Sequence, residues 1–401
     1  MLIKTRKPRK GLRLALIALI VALLIGSWVF VATQKSHAAN ATVTYHYSQS
    51  TDEVLNFGWD AQGSAAIGTV EGGLKQQFGD KNPQPTASMA KIITALVVLD
   101  KYDIAPDESG PIITIGAKDI ELYNETVALN GSNLRVTLGQ QLTLRNMLDG
   151  ILLESANNLA NSLANWAFGS MEAYHDVAVD WLADNELPET VIGSDASGFD
   201  AATTSSTSDL LKIAILAIQN PTIKQIVSQK TANFPGYDKI SNTNELLGED
   251  GFIGVKTGYT GSAGYCLLFA DEYSIDDQTT TIVGVITGQA NSESRFTSAE
   301  QLVESAKLNL VSKKVISKGE VVGKYETNWG EEVNVVAQED ISVIGWSDET
   351  PSVKVSLEQI SSPESAGSRV GSISINDQTA PVTLEFDLAG PNFIWRLFHV
   401  F

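Results

Sequence analysis

The stretch PTASMAKIITALVVLDKY, residues 85–102, decides the fold because it predicts a helix that must be buried. Between Ala87 and Leu99 the only polar side chains are those of Ser88, Lys91 and Thr94. A helix that is apolar on all sides is expected inside a domain, whereas lysine is rarely buried without a partner. Ser88 and Lys91 are three residues apart, so they share one face of the helix. The stretch therefore predicts a core helix with a hydroxyl and an amine at its N-terminal end.

The pairing of these two side chains indicates nucleophilic chemistry. Serine is a weak nucleophile that needs a base within hydrogen-bond reach. Lysine can be that base only if its ammonium form is destabilised, by burial, a neighbouring cation or a helix N-terminus. Lowering its pKa from about 10.4 to about 7 requires roughly 4–5 kcal/mol of differential interaction. The apolar helix supplies the burial, although by itself S-x-x-K also fits a capping serine followed by an edge lysine.

A second motif is Ser155-Ala156-Asn157 within GILLESANNLAN, residues 150–161. It lies between helices predicted over residues 143–153 and 159–167, where two side chains can project together into a cleft. Ser155 could relay a proton there, and Asn157 could bond a peptide carbonyl. Taken alone, helix capping explains these residues better.

A third motif is Lys256-Thr257-Gly258, in the strand-like run GVKTGYTGSAG of residues 254–264. Gly258 allows a substrate backbone to approach closely. The charge of Lys256 suits a substrate carboxylate and would further disfavour protonation of Lys91. By itself the motif is also an ordinary strand-edge lysine before a glycine turn.

The N-terminal segment is typical of an exported protein. Six basic residues precede an uncharged run over residues 14–34, and they are Lys4, Arg6, Lys7, Arg9, Lys10 and Arg13. About 20 apolar residues span a bilayer as a helix, and the basic flank predicts a cytoplasmic N-terminus. Two alternatives remain: an uncleaved anchor, favoured by the length of the run, or a signal peptide cleaved after Ala38. The rest of the chain is then attached to the cell membrane on the wall side, or is secreted.

Composition excludes several classes of function. The 401 residues carry 47 acidic against 28 basic side chains and a net charge of −19, which argues against nucleic acid as a partner. Cys266 is the single cysteine, so no intrachain disulfide can form, and its apolar context predicts a buried, inert thiol. The four histidines show no metal-binding spacing. We therefore expect no cofactor and no metal.

Changes in sequence texture predict the organisation of the chain. Residues 1–38 form the basic tail and the anchor or signal, and residues 39–60 form a polar stalk or a lead-in strand. Residues 61–312 alternate helix and strand patterns and make the catalytic domain. Period-two alternation over residues 313–391 predicts an all-β domain. Residues 392–401, NFIWRLFHVF, are either an interfacial tail or a terminal strand or packing segment.

Within the catalytic domain, further elements follow from local patterns. GFIGVKTGYTGSAGYCLLFA (251–270) and TTTIVGVITG (279–288) predict adjacent strands separated by an acidic turn. The polar run 201–208 precedes a helix over 209–219 that Pro221 ends.

The three motifs occur in the order S-x-x-K, S-x-N, K-T-G, and this combination is far more specific than any one of them. With SMAKIITAL, LLESANNLAN and GVKTGYTGSAGYCLL around them, residues 60–390 resemble the serine-type D-Ala-D-Ala carboxypeptidases. These are the low-molecular-weight penicillin-binding proteins of the DD-peptidase and β-lactamase-like superfamily. The resemblance implies an α/β (α+β) catalytic domain with an antiparallel sheet between helices, a C-terminal all-β domain and the N-terminal membrane helix.

The same resemblance implies roles for individual residues. Ser88 is the acyl-ester nucleophile, Lys91 its proton acceptor and Ser155 the relay to the leaving group. Asn157 binds the acyl side. The backbone N–H groups of Ser88 and Tyr259 form the oxyanion hole. Lys256 and Thr257 are implied to bind the terminal carboxylate, and Arg295 is implied to lie near it, with a solvated surface arginine as its alternative. Gly258 belongs to the substrate-binding residues because it lets the substrate backbone approach.

The implied substrate is a peptidoglycan stem peptide ending in D-Ala-D-Ala, and the implied inhibitors are β-lactams. The chain departs from the family at Thr243, where relatives often carry a basic residue, and around residues 196–208. A serine β-lactamase is the nearest alternative, but Glu186 and Glu189 do not match the context of its deacylating glutamate. A DD-endopeptidase using the same acyl-enzyme remains open, and an inactive wall-binding scaffold is disfavoured by the intact motifs.

Overall fold

The computed structural model describes residues 10–34, 37–48, 54–59, 62–376 and 378–399. Its helices are α1 (Lys10–Gln34), α2 (Ala90–Lys101), α3 (Ala117–Ala128), α4 (Leu144–Leu152), α5 (Asn157–Phe168), α6 (Met171–Asp184), α7 (Thr207–Gln219), α8 (Pro221–Val227), α9 (Ser292–Asn309) and α10 (Phe393–Phe398). A single 3-10 turn, Ala87–Met89, precedes α2. The basic residues Lys4, Arg6, Lys7 and Arg9, together with Ser36 of the predicted cleavage site, lie outside the described residues.

The strands of the described chain form several two-stranded sheets and two larger sheets. In chain order they are β1 (His37–Ala38), β2 (Asn40–Val43), β3 (Ser64–Thr69), β4 (Gly73–Phe78), β5 (Gln84–Pro85), β6 (Ile112–Thr114), β7 (Gln141–Thr143), β8 (Thr204–Ser205), β9 (Thr231–Phe234), β10 (Tyr237–Ser241), β11 (Phe252–Thr260), β12 (Gly264–Ile275), β13 (Gln278–Gln289), β14 (Leu310–Ile316), β15 (Val321–Glu326), β16 (Glu332–Ala337), β17 (Ile341–Trp346), β18 (Val353–Leu357), β19 (Ser361–Ser362), β20 (Arg369–Ile375) and β21 (Gln378–Leu384).

Internal contacts divide the chain into two units. One comprises Glu53–Val311 with Ile344–Ser347, and is here called the sheet-and-helix unit. The other comprises Met1–Asp52, Ser312–Val343 and Asp348–Phe401, and is here called the β unit.

The sheet-and-helix unit is built on an antiparallel sheet with the order β11-β12-β13-β3-β4. Successive side chains of a strand point to opposite faces, and β12 shows this clearly. Cys266 and Leu268 are buried in the core formed with α2, α4, α5 and α7, whereas Leu267 and Phe269 are buried in a second core beside α9. The predicted arrangement of an antiparallel sheet between helices is confirmed.

Helix α2 is the core helix that the opening stretch predicts. Every residue from Ala90 to Leu99 is buried, and the helix packs against α4, α5, α6 and α7. Ser88 does not belong to α2 but to the 3-10 turn in front of it. Lys91 therefore lies inside the unit, on the helix. Ser88, in the turn before the helix, is half-buried.

The prediction of one strand over residues 251–270 is wrong, because this segment forms the hairpin of β11 and β12. The reversal falls at residues 261–263, and Gly264 follows with φ +67°, a left-handed conformation that glycine adopts without strain. The acidic turn lies at Asp276 and Asp277, between β12 and β13. Helix α7 begins two residues before the predicted start, and Pro221, which ends it, also opens α8.

The β unit contains a sheet with the order β18-β20-β21-β16-β15-β2. Ala41 of β2 pairs with Tyr325 of β15, so residues 40–43 form a strand of this sheet rather than a polar stalk. The period-two pattern holds through Val382 and Leu384, which are buried. It fails at Phe386, which lies beyond the end of β21 and is 64% exposed.

The first and last helices of the described chain, α1 and α10, belong to the β unit. Within α1, Arg13–Thr33 has a mean hydropathy of 2.8 and is the one described helix long and apolar enough to cross a membrane. Residues 393–398 form α10, so the alternative of a terminal strand is wrong. The side chain of Asn392 caps α10 by accepting a hydrogen bond from the backbone N–H of Trp395 at 2.9 Å.

Candidate active site

The turn that carries Ser88 is held by a close backbone contact. Ala87 has φ +48°, and Gly198 lies against it with φ +72°. A Cβ at Gly198 would come within 2.1 Å of the Ala87 carbonyl oxygen, so only glycine fits at this point. The contact ties the nucleophile turn to the loop of residues 194–200.

The Lys91 amine lies within hydrogen-bond distance of three oxygen atoms. Its Nζ is 2.7 Å from Ser88 Oγ, 2.7 Å from Asn157 Oδ1 and 3.0 Å from the Ser197 carbonyl oxygen. Amide and carbonyl oxygens can only accept, whereas a hydroxyl can also donate. A neutral amine would donate its two hydrogens to Asn157 and Ser197, and its lone pair would then face the Ser88 hydroxyl. This geometry suits proton transfer from Ser88 to Lys91.

The surroundings of Lys91 favour the neutral amine. The side chain is fully buried, and this burial lowers its pKa well below the usual value, with the nearby charge of Lys256 lowering it further. Asp195 acts in the opposite direction but is the smallest of these influences. Burial is therefore the main reason that Lys91 can serve as a base.

The second motif lies between α4 and α5. Asn157 opens α5, is 6% exposed, and donates its backbone N–H to the Ser132 carbonyl oxygen at 2.8 Å. Ser155 adopts φ +62° and is equally buried. Among the residues that the structure describes, the Ser155 hydroxyl forms no hydrogen bond to Ser88 or Lys91. The structure thus brings Asn157 into contact with the lysine and leaves Ser155 beside the cluster.

The third motif lies on β11. Lys256 is 1% exposed, and its Nζ donates to the Thr257 carbonyl oxygen at 3.1 Å. Burial lowers the pKa of Lys256 to about 7, with Arg295 adding to the effect and Glu154 opposing it. The Thr257 hydroxyl is 2.5 Å from the hydroxyl of Thr243. The position where relatives often carry a basic residue therefore holds a hydrogen-bond partner for Thr257.

Strand β11 passes close to the nucleophile turn at Gly258. A Cβ at this position would lie 3.2 Å from both the Ser88 backbone nitrogen and the Ala87 Cβ. Such spacing is tighter than most side chains accept, so glycine permits the approach of strand and turn. The K-T-G and S-x-x-K motifs are consequently in close contact, and the region where they meet is here called the cleft.

Arg295 lies at the start of α9 and is 7% exposed, so the alternative of a solvated surface arginine is wrong. Its Nη1 donates to the Gly258 carbonyl oxygen at 3.3 Å, and its guanidinium lies 5.5 Å from the centre of the Tyr265 ring. The Tyr265 ring in turn stacks at 4.2 Å on Tyr259, which is 55% exposed. Arg295 is thus attached to β11 at the last residue of the K-T-G motif.

Sequence reasoning missed the loop of residues 194–200. The Asp195 carboxylate accepts hydrogen bonds from the Ser197 hydroxyl and, at 3.1 Å, from the Ser197 backbone N–H. Asn161 Oδ1 accepts from the Ala196 N–H at 3.0 Å. These bonds hold the Ser197 carbonyl oxygen against Lys91. The sequence could not have identified this contact, because every residue has a backbone carbonyl group.

The two candidate acids of a β-lactamase contact α7 instead of the cleft. The Glu186 carboxylate pairs with Lys212 at 3.1 Å, and the Glu189 carboxylate accepts from the Ser208 hydroxyl at 3.4 Å. Neither is hydrogen-bonded to Ser88 or Lys91 in the described part of the chain. Glu186 and Glu189 are therefore not placed to activate a deacylating water at Ser88.

Comparisons with known proteins place the chain among D-alanyl-D-alanine peptidases. A family model described as D-alanyl-D-alanine carboxypeptidase matches residues 75–289. The D-alanyl-D-alanine carboxypeptidase DacD of Escherichia coli strain K12 is 25% identical over 318 residues, which cover 75% of this chain and 78% of the relative. A D-alanyl-D-alanine endopeptidase of Pseudomonas aeruginosa is 30% identical over 218 residues, covering 52% of this chain and 66% of that protein.

The fold also matches solved structures. The crystal structure of a peptidoglycan synthesis regulatory factor (PBP3) from Streptococcus pneumoniae aligns with a TM-score of 0.64 and 20% identity. The alignment covers 82% of this chain and 99% of that one. At this level of identity the likeness supports the fold alone.

Proposed function

Because the chain belongs to the D-alanyl-D-alanine carboxypeptidase family, we propose that its cleft removes the terminal D-Ala of a peptidoglycan stem peptide through an ester on Ser88. The chain is a D-alanyl-D-alanine carboxypeptidase, which is a hydrolase. Our proposal concerns the roles of its individual residues in that reaction. The observation that carries them is the contact between the fully buried Lys91 amine and the Ser88 hydroxyl, at 2.7 Å.

The first half of the reaction forms the acyl-enzyme. Neutral Lys91 takes the Ser88 proton while Oγ attacks the carbonyl carbon between the two D-Ala residues. The resulting oxyanion accepts hydrogen bonds from the backbone N–H groups of Ser88 and Tyr259, an interaction usually worth several kcal/mol. Ser155 relays the proton to the departing amine as the C–N bond breaks, and free D-Ala leaves. Water then hydrolyses the ester, and Ser88 regains its proton.

The strand side of the cleft binds the terminal carboxylate. Lys256 and Arg295 supply positive charge, and Thr257 supplies a hydroxyl donor. Asn157 binds the acyl side of the substrate through its amide. A β-lactam occupies the same positions and acylates Ser88.

The decisive experiment is intact-protein mass spectrometry of the full chain in detergent during a time course with benzylpenicillin. We expect a long-lived adduct of one drug molecule that is absent from Ser88→Ala. A short-lived adduct with turnover of the drug would favour the β-lactamase alternative. A folded protein that forms no adduct would contradict the catalytic proposal and favour a wall-binding scaffold.

An endopeptidase activity on the same acyl-enzyme is the second candidate, because one of the similar proteins is named an endopeptidase. The two activities differ in the leaving group, which is free D-Ala or the side-chain amine of a cross-linked peptide. Release of D-Ala from a pentapeptide and cleavage of a cross-linked dimer, measured side by side, separate them. We expect the pentapeptide to be the better substrate.

We further propose that residues 61–312 are the catalytic domain, that residues 313–391 are a β-rich accessory domain, and that α1 is an uncleaved anchor. Two features support the anchor: the apolar span Arg13–Thr33, and the pairing of residues 37–43 with β15 and β19, which places the bond after Ala38 in a strand region. The intact mass of the chain isolated from membranes tests this proposal. A mass that begins at residue 39 would contradict it, and α10 would then be the remaining candidate for membrane contact.

A further inference from the structure

A cavity of about 200 Å³ adjoins the catalytic cluster on the side of Asn157 and Ser197. Both residues line it, and both are acceptors for the Lys91 amine. Its other lining residues come from α3 and the turn that follows it, from α5 at Asn161, and from the loop of residues 194–200. Pockets for drug-sized ligands usually measure about 300–1,000 Å³, so this cavity suits a single side chain of a ligand held in the cleft.

Asn157 presents an unused donor at this cavity. The residue is 6% exposed, and its Oδ1 is occupied by Lys91. Its Nδ2 forms no hydrogen bond with any described residue. Because Asn157 lines the cavity, this free N–H group can donate to a carbonyl oxygen of a ligand held there. The residue whose carbonyl binds there must place its side chain nearby.

The cavity combines apolar walls with negative charge. Leu122, Leu129 and Phe199 line it, and the last of these is 41% exposed. Glu125, Asp195 and Asp200 also line it, and none of its lining residues is basic. Hydrogen bonds from the Ala202 N–H and from the hydroxyl and N–H of Ser194 hold the pKa of Asp200 below its usual value. An aliphatic side chain that ends in a cation matches this pattern of walls and charge.

We propose that this cavity receives the amine-ended aliphatic side chain of the residue that precedes D-Ala-D-Ala, and that the enzyme therefore prefers a lysine-type stem peptide. This inference rests on the proposed function, because it needs the substrate carbonyl at Asn157. A side chain that ends in a carboxylate would meet three like charges there and is disfavoured.

The test compares two tripeptides as substrates of the full chain in detergent: Nα-acetyl-L-Lys-D-Ala-D-Ala, and the same peptide acetylated at Nε. We expect kcat/KM for the free amine to be about fivefold higher at low ionic strength, the range of a partly exposed charge pair. The preference should shrink in 0.5 M salt, because salt screens such pairs.

Substitution of Glu125 assigns the preference to the cavity. Glu125→Lys should abolish or reverse the preference, measured as the ratio of the kcat/KM values for the two peptides. The matched control is Glu121→Lys, since Glu121 is an exposed acid one turn away on α3 that does not line the cavity. The control should keep the preference.

The outcomes separate this inference from the proposed function. Hydrolysis of both peptides at equal kcat/KM, with normal acylation by penicillin, would overturn the side-chain site alone. An equal loss of preference in the Glu121 and Glu125 variants would also overturn it, since a general field rather than the cavity would then be responsible. Failure to hydrolyse either peptide or to form the penicillin adduct would overturn the proposed function instead.

Discussion

The helix side and the strand side of the cleft each bury a lysine, yet they surround it differently. Lys91 is within hydrogen-bond distance of a hydroxyl, an amide oxygen and a carbonyl oxygen. Within the described part of the chain, Lys256 donates a hydrogen bond to one carbonyl oxygen, and the charge of Arg295 lowers its pKa. Burial lowers both pKa values. Burial thus makes both lysines easier to deprotonate, and we propose that their different neighbours suit Lys91 to act as a base and Lys256 to bind the substrate carboxylate.

The largest effect should come from removing the amine on the helix side. We expect Lys91→Met to slow acylation by benzylpenicillin by about 10⁴-fold, the upper range for loss of a general base. Stopped-flow or mass-spectrometric acylation rates measure this effect. Lys101→Met, at the other end of α2, is the matched control and should acylate normally. Normal acylation by Lys91→Met would remove the distinction between the two lysines.

Removing the amine of Lys256, on the strand side, should reduce activity less than removing that of Lys91, and should act mainly on KM. We expect Lys256→Met to lower kcat/KM for a D-Ala-D-Ala peptide by about 10²-fold, because a desolvated partner of the substrate carboxylate is lost. Most of the loss should be in KM. An equal fall for a peptide whose C-terminus is an amide would show that Lys256 acts on the chemistry rather than on the carboxylate.

The two lysines should also be separable by pH. Lys256, with a pKa of about 7, is charged below that value and neutral above it. We therefore expect kcat/KM for the carboxylate peptide to fall by up to about tenfold per pH unit above pH 7. The amide-ended peptide should not show this alkaline fall. Lys91 must be neutral to act, so its titration sets the acidic limb. The same alkaline fall for both peptides would contradict the assignment of charge recognition to the strand side.

The smallest effect concerns Thr243. Its hydroxyl partners Thr257 at 2.5 Å, and loss of a neutral hydrogen bond costs about 0.5–1.5 kcal/mol. We expect Thr243→Val to lower kcat/KM by about two- to tenfold and Thr243→Ser to restore it. A double-mutant cycle with Thr257→Val measures the coupling between the two hydroxyls. Additive effects of the two variants would mean that Thr243 does not position Thr257.

Local patterns predicted much of this cleft because each motif is a short run of neighbouring residues. Periodicity placed Lys91 in a buried helix. The glycine after Lys256 and Thr257 predicted room for a substrate backbone, whereas the approach that the structure shows at Gly258 is that of the turn carrying Ser88. The hairpin of β11 and β12 was missed because both strands are apolar enough to read as one continuous run. Its reversal depends on backbone conformation at residues 261–264, which residue type signals only weakly.

Three features are properties of neighbouring residues and could therefore be predicted from the amino-acid sequence. They are the order of the three motifs, the apolar surroundings of Lys91 and the length of the apolar segment in α1. Other features arise only when distant segments pack together. In this way the Ser197 carbonyl oxygen and the Asn157 amide oxygen reach the Lys91 amine, and Arg295 reaches the Gly258 carbonyl oxygen. These contacts join residues 37 to 106 positions apart. Such long-range contacts depend on how strands and helices pack, because hydrogen bonds are short and directional, and no local pattern encodes that packing.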